Sequence, residues 1–228
     1  LLMKTLTADQ ITALYTFTRQ HFVEHYDLQT ELVDHLANAI EQRWATDPAV
    51  SFDDALKAEF KKFGVFGFSD VVEQKGKALG RRYLKLKWGY FREFFTLPKV
   101  LLTLALVLAM GMLLRFNVWV ALSIYILLQL ASFIKLFANV KAFNKKAKET
   151  GRKWMLEEMI FRGVTFTALA GFWFQFGQMM YYTHNVYAQW VLATVCVLLL
   201  LHNYIVLYVI PSKAEQYLKE TYPEYAIA

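Results

Sequence analysis

Apolar and polar residues follow two different rules along this chain. Up to about residue 74, apolar positions recur every three or four residues, as on one face of a helix. Ile11, Leu14, Tyr15, Thr18 and Phe22 trace a first stripe, and Leu28, Leu32, Leu36, Ile40 and Trp44 a second that stops before Asp47-Pro48. Phe52, Leu56, Phe60 and Phe63 trace a third. Thr7 with Gln10 and Ser51 with Asp54 have capping-box spacing at two of the helix starts. Gly64 and Gly67 punctuate the aromatic turn from Phe63 to Phe68, and Ser69 is placed to cap a fourth helix carrying Val71 and Val72. The period-two alternation of a half-buried strand is absent.

After Pro98 the polar face disappears. Apolar runs extend from Val100 to Leu114, from Val118 to Leu136, from about Met159 to Tyr182, and from Tyr187 to Ile210 before Pro211. A bilayer crossing takes about 20 such residues, and a chain in lipid must satisfy its own backbone hydrogen bonds, so helices are expected. The fold predicted is all-α: a small helical head over 1–74, a basic aromatic linker helix over 75–97, a four-helix transmembrane domain over 98–211 and a tail over 212–228. Residues 1–14 contain Lys4, Asp9 and Gln10 and no continuous apolar core. The first membrane helix is therefore expected to act as its own insertion signal.

Composition agrees with this division. Of 228 residues, 57% are hydrophobic, 17% aromatic and 19% charged. A disordered chain has few aromatics and much charge, and a soluble domain is about 25% charged. The lone cysteine, Cys196, excludes an intrachain disulfide framework and a multi-cysteine zinc site. The net charge of +6 divides into −6 for residues 1–74 and +12 for residues 75–228. Basic residues cluster before the first membrane run (Lys75 to Lys99) and between the second and third (Lys141 to Lys153), whereas the opposite side has Arg115 alone. By the positive-inside rule both termini and the 140–158 loop are expected to be cytoplasmic. Arg81, Arg82, Lys85, Lys87 and Trp88 then lie on the inner-leaflet surface. The partner of this positive charge is membrane lipid; direct nucleic-acid binding is not expected.

Polar residues within the apolar runs are the next candidates. Tyr125, Gln129 and Ser132 share one helix face, and Gln175 and Gln178 share another. Interhelical hydrogen bonding is their ordinary use, and a small polar ligand pocket is the sharper one. Gly163, Thr167 and Gly171, and Ala105 with Ala109, have the four-residue spacing that lets helix backbones approach closely. No acidic residue stands at mid-membrane depth, which argues against a proton or cation relay.

Other residues have the spacing of catalytic or ligand sites. His21, Glu24 and His25 fit the H-x-x-E-H metalloprotease pattern, with Glu31 or Asp34 available as a further ligand. The pattern falls where the first helix ends, so a surface helix end is expected and no metal is assigned. Glu31, Asp34 and His35 form a polar face bordering the second stripe, a candidate partner or ligand contact. Glu157, Glu158 and Arg162 resemble the E-E-x-x-x-R motif of the CAAX-protease and bacteriocin-processing membrane family, in which paired glutamates and two later histidines activate water. Here His184 follows Met180 and His202 follows Leu198 where the family has Phe before the first histidine, and Ala188 and Val206 stand where Asn or Asp would follow. The ordinary reading is that Arg162 pairs with Glu158 one turn away.

A second resemblance covers about residues 7–75. The stretch Tyr26 to Glu41, then Ser51-Phe-Asp-Asp-Ala-Leu56 and Phe60-Lys-Lys-Phe-Gly-Val-Phe-Gly-Phe68, resembles the helix-turn-helix-associated α-helical signalling (HAAS) domain of bacterial membrane proteins. It is similar in particular to small membrane proteins of the Bacteroidetes type. The resemblance implies a helical domain that precedes membrane helices and relays a membrane signal to a PadR-like winged-helix regulator. The chain has no DNA-binding helix-turn-helix of its own, so such a regulator is a separate protein. The expected function is a non-enzymatic inner-membrane sensor or accessory protein without a cofactor, docking to a regulator or to membrane-complex subunits, with self-association as a further option. The alternatives are an intramembrane hydrolase built on Glu157 and Glu158 and a structural subunit of a larger membrane complex.

Overall fold

A computed structural model of the chain describes residues 4–162 and 185–226. Among the described residues every regular element is helical and no strand occurs. The chain forms two compact units, Leu1–Gly80 with Thr150–Met155, and Arg81–Glu149 with Leu156–Ala228.

The first unit contains α1 (Ala8–Gln20), α2 (Tyr26–Thr46), α3 (Phe52–Lys61) and the beginning of α4 (Ser69–Glu93). The start of α1 closes a reciprocal box: Thr7 Oγ1 accepts from the Gln10 N–H at 3.3 Å, and Gln10 Oε1 accepts from the Thr7 N–H at 2.9 Å. Ser51 Oγ likewise accepts from the Asp54 N–H at 3.1 Å at the start of α3. The stripes bury Leu14, Leu28, Leu32, Leu36, Ile40 and Trp44. The Trp44 indole N–H donates to the Val50 carbonyl at 2.9 Å, so its one polar atom is satisfied.

One stripe residue departs from expectation. Phe22 is 88% exposed, and Val23 is buried in its place. The helix has already stopped at Gln20, and Phe22 turns the chain toward α2 with a φ of 64°. Periodicity carries the stripe one turn too far, because it holds no information about where a left-handed residue ends a helix. Beside this turn Phe17, His21, Phe60, Phe63 and Phe68 form an edge-to-face aromatic cluster. Gly67 belongs to it with a φ of +55°, and a Cβ there would lie 3.0 Å from the Phe60 ring.

The second unit contains the rest of α4, then α5 (Lys99–Phe116), α6 (Val118–Thr150), most of α7 (Met155–Arg162), α8 (Val186–Tyr204) and α9 (Ala214–Thr221). Beyond Tyr204, α8 continues through a π turn at Ile205–Val209 into Ile210–Ser212. The segments Lys99–Phe116, Val118–Thr150 and Val186–Ser212 are long and apolar enough to cross a membrane, with mean hydropathies of 2.0, 2.0 and 2.2. The remaining predicted span begins in α7 at Met159, and from residue 163 it lies outside the described residues.

Two boundaries differ from the sequence reading. The linker over 75–97 is not a separate helix, because α4 runs unbroken from Ser69 to Glu93. The second membrane helix does not stop at Leu136. No Gly or Pro occurs between Val118 and Thr150, so α6 runs on to Thr150 and ends at Gly151, which has a φ of +65°. Its 33 residues span about 50 Å against a hydrocarbon core of about 30 Å, so its lysine-rich end projects beyond the core.

Small residues set the approach of α5 to α8, at a place the spacing did not indicate. Ala105 and Ala109 are exposed among the described residues. Gly111 instead faces Trp190, and a Cβ at 111 would fall 2.2 Å from the indole ring.

Polar groups link α6 to α8. The Gln129 amide donates to the Tyr125 hydroxyl at 2.6 Å, and the Asn203 amide donates to Gln129 Oε1 at 2.9 Å. One turn further, Pro211 has no N–H to offer Leu207, four residues back. The Asn139 amide of α6 donates to that Leu207 carbonyl at 3.0 Å. The local lengthening to i→i+5 bonding, with the Ile210 N–H on the Ile205 carbonyl, sits at the same turn.

Candidate functional site

The most specific constellation in the first unit is built by a segment distant in sequence. Thr150–Met155, between α6 and α7, belongs to the N-terminal unit. The Tyr26 N–H donates to the Lys153 carbonyl at 2.7 Å, and the Met155 N–H donates to Asp27 Oδ1 at 3.2 Å. Tyr26 meets Trp154 edge to face at 5.3 Å, and the Arg152 guanidinium lies 4.6 Å over the Tyr26 ring. Lys153 pairs with Glu24 at 3.0 Å. Asp27, Trp154 and Met155 are buried. The Asp27 carboxylate stands in the first turn of α2, where the helix dipole favours negative charge. Five contacts of different chemistry thus converge on one helix start, fixing the segment in both register and orientation.

The second unit has a polar cluster around the E-E-x-x-x-R motif. Glu157 is buried, and Lys146 of α6 donates to it at 2.7 Å. Lys146 also donates to the Tyr225 hydroxyl. Glu158 pairs with Arg162 one turn away. The Leu156 N–H donates to the Tyr222 hydroxyl at 3.3 Å. A cleft of about 250 Å³ opens here, lined by Phe143, Lys146, Glu157, Phe161, Pro211 and Tyr225 among others. Both glutamates are engaged by cations, so neither is presented as a free carboxylate base. Of the two histidines that follow the motif in the sequence, His184 lies outside the described residues and His202 stands on α8, partly buried.

The remaining candidates are dispersed. His21 caps α1, with its Nδ1 2.8 Å from the Phe17 carbonyl and its ring against Phe17 and Phe60. Glu24 is held by Lys153, and His25 is the N-cap residue of α2. These roles leave the H-x-x-E-H triplet divided between two helix ends. Among the described residues no three His, Cys, Asp or Glu side chains gather as metal ligands. Glu31 pairs with Lys75 of α4, Asp34 is exposed, and His35 packs edge to face on Phe63 at 5.9 Å. Gln129 is part of the α6–α8 link, whereas Gln175 and Gln178 lie outside the described residues. Arg81, Arg82, Lys85 and Trp88 are exposed along α4, and Lys87 is partly buried over the Tyr83 ring.

No family model, curated protein or solved structure matches the chain. Its function therefore has to be argued from its own residues.

Among these, sequence reasoning overlooked Asp27, Trp154, Asn139 and Asn203. Asn139 had one legible signal: a proline at 211 frees a carbonyl at 207, and a carbonyl in an apolar helix requires a donor. Nothing comparable marks Asp27, because its partner lies 128 residues away.

Proposed function

We propose that the chain is a non-enzymatic inner-membrane relay. In this reading both termini are cytoplasmic and the N-terminal helical unit faces the cytoplasm. There it docks a separate protein, a winged-helix regulator or a membrane-complex subunit. The observation that carries this reading is the docking of Thr150–Met155 into the N-terminal unit. That segment is covalently continuous with α6 on one side and α7 on the other, so a shift of either helix pulls on Asp27 and Tyr26. The head is thereby mechanically informed of the membrane domain. The HAAS resemblance and the positive-inside charge pattern support the same topology.

The test uses the full chain in bilayers of two thicknesses, with hydrogen exchange read at residues 23–30 and 150–155. Exchange at both segments is expected to respond to thickness, and Trp154→Ala is expected to abolish the response at 23–30 while leaving the other helices of the head protected. A head whose exchange ignores the bilayer in the unmodified chain would overturn the relay.

A further inference from the structure

The middle of α4 gathers polar groups that lack the partner each of them needs. Tyr83 is buried, and its hydroxyl has no hydrogen-bond partner among the described residues. An O–H removed from water without an acceptor is costly to fold, and such groups are few in native proteins. One turn along the same face, the Lys87 ammonium lies 5.0 Å over the Tyr83 ring. Lys87 forms no ion pair among the described residues, and Glu93, the nearest carboxylate along α4, pairs with Lys99 at 2.6 Å. Both residues belong to the second unit. The pair thus holds one ammonium and one hydroxyl donor without an anion beside them among the described residues.

Neighbouring basic residues behave differently. Arg81, Arg82 and Lys85 are exposed, as expected of a helix attracted to an anionic surface by its field alone. Lys87 is partly buried, and burial lowers the affinity of its amine for a proton. Burial also pushes the Tyr83 phenol upward, so it remains an O–H donor across the physiological range. A bound anion supplies what both groups lack, a charge for Lys87 and an acceptor for Tyr83.

We propose that Tyr83 and Lys87 form a phosphate-binding site that takes the headgroup of an anionic phospholipid. The position fits a headgroup. α4 leads within a few residues into the membrane span beginning at Lys99. Just past α4, Phe94 meets Tyr204 of α8 edge to face at 6.4 Å. Acyl chains of a lipid held there run along the exposed Leu101, Leu104 and Leu108 of α5. The site depends on the second unit lying in a bilayer and not on the relay: a failed relay leaves lipid binding intact, and a failed lipid site leaves the exchange response intact.

The test is native mass spectrometry of the full chain in detergent, titrated with phosphatidylglycerol, with phosphatidylcholine and with inorganic phosphate. One phosphatidylglycerol is expected to be retained about tenfold more tightly than phosphatidylcholine. Lys87→Ala is expected to weaken it about tenfold and Tyr83→Phe about threefold to tenfold, the range for a charge-assisted hydrogen bond. Tyr83→Phe also removes an unsatisfied hydroxyl, so its lipid-free melting temperature is expected to be equal to or above that of the parent. This separates lost binding from lost folding. Lys85→Ala removes the same charge from the exposed face and is expected to leave the bound lipid in place. Equal loss in Lys85→Ala and Lys87→Ala would reduce the effect to a diffuse basic surface and overturn the site. Displacement of the lipid by millimolar inorganic phosphate would overturn the lipid assignment in favour of a soluble phosphate.

Discussion

Leu36 and Leu101 are the same residue on two α-helices, and their surroundings could hardly differ more. Leu36 is 0% exposed inside the N-terminal unit, and Leu101 is 61% exposed on α5. The first unit is built for water: its helices have one apolar face, and that face is hidden. The second unit turns leucines outward because lipid solvates them as well as protein does, so hydrophobic burial cannot hold its helices together. What holds α5, α6 and α8 is fit and polar pairing. Gly111 admits the Trp190 ring, Gln129 joins Tyr125 to Asn203, and Asn139 serves the carbonyl that Pro211 leaves open. Two units in one chain therefore obey different energetics, and the same substitution should have different consequences in each.

Truncating apolar side chains gives the largest expected contrast. Trp44→Ala empties a buried site in the first unit and is expected to cost about 3–5 kcal/mol. Leu101→Ala on the outward face of α5 is expected to cost under about 0.5 kcal/mol. Reversible unfolding in detergent, followed by hydrogen exchange in each unit, measures both. Equal losses would erase the distinction between a water-solvated and a lipid-solvated unit.

Removing a polar key tests the other side. Asn139→Leu leaves the Leu207 carbonyl without its donor and is expected to cost about 1–2 kcal/mol, a loss out of proportion to the apolar atoms gained. Pro211→Ala restores an N–H in the helix, so the double variant is expected to recover a substantial part of that loss. A double-mutant cycle reads the coupling directly. Simple additivity would show that Asn139 acts by packing alone.

The smallest expected effect is electrostatic and confined to the first unit. Burial pushes the Glu59 carboxyl up, but hydrogen bonds from Lys62 at 2.6 Å and Arg43 at 3.1 Å carry it below the usual carboxylate range. A carboxyl depressed on folding stabilises the fold above the unfolded value, about 4.3, and loses that contribution as the pH falls through the folded value. Glu59→Gln is expected to cost about 1 kcal/mol or less at neutral pH, since both cations face solvent, and to flatten the acid limb of the melting curve. An unchanged acid limb would place the pH dependence elsewhere.

Much of this architecture was legible in advance for one physical reason. Helix periodicity, caps and apolar run length are local properties, so α1, α2, α3, the Thr7 box and three of the apolar spans could be read from neighbouring residues. The failures share the opposite reason. Phe22 fell outside the core because a backbone reversal, invisible in periodicity, ends α1 before it. The 140–158 loop proved largely helical because basic residues were read as a topological marker although lysine is also a good helix former. The H-x-x-E-H and E-E-x-x-x-R spacings located real side chains without locating their partners: His21 joined an aromatic cluster, and Glu157 joined Lys146.

The sequence by itself determined the helical class, the membrane character and the division between an acidic helical segment and a basic membrane segment. Each of these follows from composition and from residues three or four positions apart. Tertiary structure alone decided that Thr150–Met155 is part of the N-terminal unit, that Gly111 is the close-approach position and that Tyr83 is buried beside Lys87 with no acceptor among the described residues. These features join or isolate groups separated by tens of residues, and their free energy resides in contacts that exist only after the chain has folded.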